Sequence, residues 1–442
     1  MAANLAKLEN LRLRDTWQQL LRIDDADGID ATLEKVVDGD SVECPLYLSS
    51  TKVQIKPTTD ASDVFKVSQA GGDAVLTIDT TLRSVSEGWG SLAGDADGAY
   101  GGKGAHAEGV ATIASGQGSH SQGTSCTASG YNSHAGGNNS NATFNEAFAQ
   151  GNQCNAHGLH SIAMGASCQA GPDSAGEGNT GVSAFAIGGG CTAEFSHSIA
   201  MGRASEARAM RAVAIGDHAE ALGMHAHSFG FYTKASGSWS EAIGDYSEAT
   251  GDHARAYGRN TEAQVRYSVA DGFYSKTTGD AEFARADGYE AHADKFGQRA
   301  WQTRRMEGSV DYGTAQESRY MLHAKTTDDT QTEMFLDGAS GSQRMTIESD
   351  STWLFHVRIV ARQTNADDVS AGYELKGVID NNAGTTALAS SLTKVEIGED
   401  VAGWDVTAVA DNTNDALVVK VTGAIGDSVN WVGFVNTVET IG

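Results

Sequence analysis

The feature that most constrains this chain is a glycine every seven residues. From Gly109 the residue recurs at 116, 123, 130, 137, 151, 158 and 165, then from Gly188 at 202, 216, 223, 230, 237, 244, 251, 258, 272 and 279. Between those limits Phe144, Phe195, Ala209 and Val265 take the glycine's place. The positions two and four before each slot hold only Ala, Ser, Thr or Cys, so the unit reads Gly-x-x-small-x-small-x. A fixed period of this kind marks stacked units, each burying its surface against its neighbours.

Small residues at i and i+2 share one face of a strand, because side chains alternate sides with period two. A coiled coil would instead space large apolar residues three and four apart. The heptad is therefore a strand followed by a turn. Inward residues no larger than Ala, Ser, Thr or Cys let an opposite strand lie very close, and glycine is expected to make the tight turn between them. The expected fold is all-β and fibrous, with a narrow parallel β-roll at its centre.

Outward residues add a second period of 14. Three before the slot stand Phe148, Ile162, Phe185, Ile199 and Val213, then His227, Glu241, Arg255 and Val269. One before it stand Met164, Ile187, Met201, Ile215, Phe229, Ile243 and Tyr257. Alternate heptads carry Glu206, Arg208, Glu220, Lys234, Glu248, Glu262 and Lys276 instead. One strand of each 14-residue coil thus faces water and the other faces something apolar. Roughly 14 coils at about 4.8 Å each would give a shaft on the order of 65 Å.

A continuous apolar stripe is an association surface if left uncovered, and self-association about a symmetry axis covers it. A homotrimer is expected, although the pattern also permits a dimer. Its interface would use Phe148, Ile162, Met164, Phe185, Ile187, Ile199, Met201, Val213, Ile215, Phe229 and Ile243.

The phrase "HSIAMG" occurs at 160–165 and again at 197–202. The offset of 37 is two coils plus nine residues, and the excess falls in "GPDSAGEGNTG" (171–181). A loop is expected to leave the shaft there and rejoin it in phase.

Composition excludes several classes. A net charge of −26 argues against a broad basic surface for nucleic acid. With 53 glycines and 3 prolines, the chain is neither collagen nor a proline-rich linker. No signal-like segment and no run of about 18 apolar residues occurs, so neither Sec export nor membrane insertion is expected. The five cysteines form no CxxC pair, which speaks against a disulfide framework or zinc site. Cys126, Cys154, Cys168 and Cys191 occupy small slots and read as buried hydrophobes.

The flanks read differently. Leu5, Leu8, Trp17, Leu20 and Leu21 have helical spacing within 2–23. "DDADGID" (24–30) lacks the glycine position and twelfth-place Glu of a calcium loop, so it reads as a solvated turn. Lys52–Ile55, Val64–Ser68 and Val75–Ile78 read as short strands around "QAGGD". "QRAWQTRR" (298–305) would close the bottom of the roll. Beyond Tyr320, stretches such as "TWLFHVRIVAR" and "ALVVKVTG" separated by Asn, Asp and Gly suit an antiparallel sandwich or jelly roll of about eight or nine strands.

No P-loop, HExxH, GxSxG or dinucleotide fingerprint occurs, and the chain is expected not to be an enzyme. A glycosidase carboxylate pair has no fixed spacing, so a polysaccharide depolymerase stays as the least favoured alternative. His106, His120 and His134 stand three before a slot and 14 apart. In a trimer they would form axial rings able to hold an anion or metal, with a charge change near pH 6 to 7; a hydrated, partly filled channel is the favoured reading. No cofactor or metal is expected. Trp353, Tyr373, Trp404, Trp431 and Phe434 could meet a receptor but fall in strand patterns that suit core packing.

Units such as "HSIAMGRASEARAMRAVAIGDHAEALG" (197–223) resemble the left-handed β-roll of trimeric autotransporter adhesin heads, the YadA-like head, over about 102–297. The resemblance implies a homotrimer with small residues inside each roll and the "SIAMG" and "AVAIG" strands at the subunit interface. Residues 20–55 are similar to the N-terminal portions of tailed-phage fibres, and 353–388 resemble C-terminal β-rich domains of phage tail-fibre proteins. The expected organisation is an N-terminal helix and virion-attachment segment (1–40), a β connector (41–101), the roll (102–297), a neck (298–319) and a C-terminal β-sandwich (320–442). The expected function is that of a virion fibre projecting a surface toward the host cell, bound to virion proteins at one end and a surface receptor, such as a glycan, at the other. The alternatives are a capsid or neck decoration fibre and a bacterial surface adhesin.

Overall fold

The structure, a computed structural model, describes residues 22–23, 34–37, 43–48, 53–55, 59, 64–70, 74–94, 102–172, 181–308 and 311–442. Most of the helix expected over 2–23, the acidic turn at 24–30 and most of the loop at 171–181 lie outside them. None of the described residues is helical, and Arg22–Ile23, assigned to that helix, is a strand paired antiparallel with Glu34–Val37. The chain divides into two compact units, Met1–Cys154 and Asn155–Gly442.

In the first unit, short antiparallel strands precede the roll: Phe65–Ser68, Ala74–Asp79 and Ser84–Glu87 pair in succession. Parallel pairing begins where Ser84–Glu87 meets His106–Val110 and Leu92–Ala93 meets Ile113–Ala114, ahead of residue 102. Each coil then has a five-residue strand, such as His120–Thr124, and a two-residue strand, such as Thr127–Ala128. Successive coils pair in parallel with an offset of 14, as His120 with His134 and Ala128 with Ala142.

The second unit carries the same coils from Asn155–Ala156 to Arg299–Gln302. The nine extra residues do not disturb the register, since Ile162 pairs with Phe185 and Ala163 with Ala186 across them. The small slots are the core: Ala163, Ala186, Ala200, Ala214 and Ala242 are fully buried. Several buried hydroxyls and thiols in those slots donate to the carbonyl of a slot glycine. Ser205 Oγ donates to Gly216 O at 2.9 Å, Ser247 Oγ to Gly258 O at 2.8 Å and Cys191 Sγ to Gly202 O at 3.2 Å. This is why Ser and Cys are tolerated where no water reaches.

The slot glycines share the turns with a second residue: those of alternate heptads open them, as Gly223 O accepts from Ala226 N at 3.0 Å. The left-handed corner residue stands two places later and is usually not glycine: His197, Ala204, Arg211, His218, His225, Tyr232 and Trp239 have φ between 50° and 60°. Each such residue costs on the order of 1–2 kcal/mol. Its amide offsets that cost by bonding the previous coil, as His218 N to Arg203 O at 2.8 Å and Tyr232 N to Asp217 O at 2.8 Å. The slot glycine also serves close approach: a Cβ on Gly216 would lie 1.9 Å from Gly230 O.

After Gln302 the chain leaves the coil and returns as Ala315–Thr326, antiparallel to Arg299–Gln302. Four long strands, Ala315–Thr326, Val429–Ile441, Ser351–Gln363 and Ser370–Asn382, lie side by side in that order as an antiparallel sheet, with Thr393–Glu399 beyond. A smaller antiparallel sheet is built on Asp405–Asp411 and Ala416–Thr422. One core gathers Trp353, Phe355, Tyr373 and Trp431 from the first sheet with Val406, Leu417 and Val419 from the second.

Candidate functional site

The long strands of the coils hold the residues picked out by the 14-residue period. In the second unit Ile162, Phe185, Ile199 and Val213 are half-buried and in register, one per coil. Beside them Ile187 and Phe229 are half-buried, while Met164, Met201, Ile215 and Ile243 are 36 to 37% exposed. The stripe then turns polar: Glu241 and Arg255 continue the first row, and Tyr257 Oη donates to Glu241. Burial, then that hydrogen bond, push the Tyr257 hydroxyl up to about 12.

In the first unit the same row carries His106, His120, His134 and Phe148. Their rings form a ladder with centroids 4.9 Å apart at each step. His120 Nε2 is buried without a hydrogen-bond partner. Burial lowers the His120 pKa, and the charges of His134 and His106 lower it further, against an opposing pull from Glu108. His120 therefore favours the neutral imidazole. No group of three or more His, Cys, Asp or Glu side chains able to hold a metal occurs among the described residues of the single chain.

Other candidate residues separate. Trp353, Tyr373, Trp404 and Trp431 are buried in the C-terminal core, and Phe434 is half-buried with the Arg358 guanidinium 4.9 Å from its ring centroid. Trp301, Arg304 and Arg305 are exposed, and Arg305 Nε lies 3.5 Å from Glu290 Oε2. Cys126, Cys154, Cys168 and Cys191 are free thiols with no exposure. The hydrogen bond to Cys168 and then burial push the Cys191 thiol far up.

Three features escaped the sequence reading. Aromatic corner residues stack from coil to coil: His218, Tyr232 and Tyr246 at one corner, and His225, Trp239, His253, Tyr267 and Phe283 at the other. Their spacing of mostly 14 is readable in the sequence, but the heptad pattern gives no role to a position two after the slot. Ion pairs repeat on the same period, as Arg203 with Asp217 at 2.7 Å and Lys276 with Glu262 at 2.7 Å. The outer face of the large C-terminal sheet exposes Met321, Leu354, Val360 and Val438, a second uncovered apolar surface.

No family model matches the chain, and no curated protein matches it. Two crystal structures with likeness to it are tailspike proteins. One is gp49 from Acinetobacter baumannii bacteriophage Fri1, described as a capsular polysaccharide depolymerase, at 9% identity over 76% of this chain, with a TM-score of 0.22. The chain spans 63% of gp49, less than two thirds of its length. The other, from Acinetobacter phage vB_ApiP_P1, is 8% identical over 76% of each chain, with a TM-score of 0.21. The expectation that this chain is not an enzyme is corrected here, because one of these structures is an enzyme and missing motifs were no ground for the exclusion. At such TM-scores the likeness itself assigns no activity.

Proposed function

We propose that the chain is a homotrimeric phage fibre protein that attaches the virion to the host surface. The observation that carries this reading is the uncovered apolar stripe on the long strands, from Ile162 to Ile243, which water would leave bare in a monomer. A threefold arrangement puts the same stripe of three chains against one another, with Met164, Met201 and Ile215 meeting their symmetry mates. The YadA-like repeat supports that geometry, and the second apolar face on the C-terminal sheet supports association at the other end of the unit's sequence.

In this reading the N-terminal segment joins the virion, the roll is the shaft and the C-terminal β-domain is carried outward. Three copies of a weak site on one rod raise avidity without any new contact, which suits recognition of a repeated surface glycan. The test is binding of fluorescently labelled protein to host cells, together with its location on virions by electron microscopy. Saturable cell binding and a tail location are expected. Capsid location without cell binding would contradict attachment and favour a decoration fibre, and release of oligosaccharides from capsule or lipopolysaccharide would add an activity to the attachment role.

A further inference from the structure

The corner row Ala204, His218, Tyr232, Tyr246, Asn260, Tyr274 and Glu290 is exposed or half-buried until its last member. Glu290 is only 7% exposed, because the segment after Gln302 folds across it: Gly313 N donates to Glu290 O at 3.0 Å. A carboxylate that deep ordinarily has its oxygens satisfied. Glu290 Oε2 has no hydrogen-bond partner, with Arg305 Nε 3.5 Å away.

Glu290 lines a cleft of about 440 Å³ together with Phe273, Tyr274, Tyr289, Arg305 and Tyr312. Phe273 and Tyr289 stack at 5.1 Å, and Tyr274 stands edge-on to Phe273 at 4.6 Å. The volume falls in the range of small-molecule sites, roughly 300–1,000 Å³, and the make-up is that of one: aromatic walls with a few convergent polar groups. Asp311 also lines it. Lys276, with Nζ 5.8 Å from the Tyr312 ring centroid, is neutralised by Glu262 at 2.7 Å.

We propose that this cleft binds one neutral saccharide residue, the buried, unsatisfied Glu290 Oε2 accepting from its hydroxyls, Arg305 donating to its oxygens and the aromatic rings meeting its C–H face. Both hydrogen-bonding senses are present, as a sugar needs and a simple cation does not. Two carboxylates against one guanidinium disfavour an acidic sugar. Phe273 and Tyr289 stand one place beyond Gly272 and Gly288, at the opposite end of their strands from Val269 and Arg285. Its role as a receptor site rests on the attachment reading, but its chemistry does not.

The test is calorimetric titration of the full chain with the methyl glycosides of glucose, galactose and N-acetylglucosamine, and with glucuronic acid. Saturable binding of at least one neutral glycoside is expected, with glucuronic acid at least tenfold weaker. Glu290→Gln and, separately, Tyr274→Ala should each weaken the neutral ligand at least tenfold while the melting temperature stays within a few degrees. No binding by any neutral glycoside, preference for glucuronic acid, or unchanged affinity in both variants overturns the site. Cell binding that survives in Glu290→Gln overturns only the cleft's role as receptor site, whereas glycoside binding without cell binding overturns only attachment.

Discussion

At the scale of single residues, the roll is decided by what does not fit. A methyl group on Gly216 would collide with the next coil's backbone, and its φ of 148° adds strain, whereas Gly189 has open space around its missing Cβ. Gly216→Ala should therefore lose about 3 kcal/mol or more in urea denaturation, and Gly189→Ala about 0.5 or less. Equal losses would show that coil spacing does not depend on the slot. The histidine row makes a second residue-level prediction. The His120 pKa is lowered in the fold mainly by burial, from an ordinary 6.5, so the unfolded chain takes up the proton more readily as pH falls. Stability from this group is present above about pH 6.5 and is lost as pH drops through the depressed folded value. His292, lowered chiefly by burial, acts in the same direction. His120→Phe, which copies Phe148 in the same row, should shrink the fall in melting temperature between pH 7.5 and 5; an unchanged fall would remove His120 as a contributor.

At the scale of elements, strand and slot were legible because period two and period seven leave no other fold for Ala, Ser and Gly. The corners were not, since left-handed backbone at His218, Tyr232 or Trp239 contradicts intrinsic preference and is sustained by inter-coil hydrogen bonds and ring stacking that no local pattern reveals. Nor could sequence reveal the buried Glu290, because its burial depends on a segment that folds back from beyond the repeat. The C-terminal sheet hides a comparable case. Glu439, 6% exposed, accepts from Gln316 Nε2 at 2.8 Å, from Tyr320 Oη at 3.1 Å and from Thr437 Oγ1. Glu439→Ala removes the acceptor that Tyr320 Oη, Gln316 Nε2 and Thr437 Oγ1 share, leaving the last two only their longer bonds to Ser318, and should lower stability by about 2–4 kcal/mol by thermal or chemical denaturation. A loss under about 0.5 kcal/mol would mean that water replaces the carboxylate there.

At the scale of the whole molecule, the alanine interior sets the terms. A core of methyl groups buries little apolar surface per residue, while the larger side chains, Ile, Met and Phe, stand on the outer face of the long strands. The roll thus places its largest apolar side chains on a face that its own coils do not cover. A charge there would be desolvated without a partner, so Ile215→Asp should dissociate the assembly or prevent its formation, while Glu220→Gln on the charged two-residue strands should not change it. The most direct test is the mass in solution by sedimentation equilibrium across a hundredfold dilution. A homotrimer predicts three times the chain mass at every concentration for the wild type and a lower mass for Ile215→Asp; a wild-type protein that stays monomeric would contradict it.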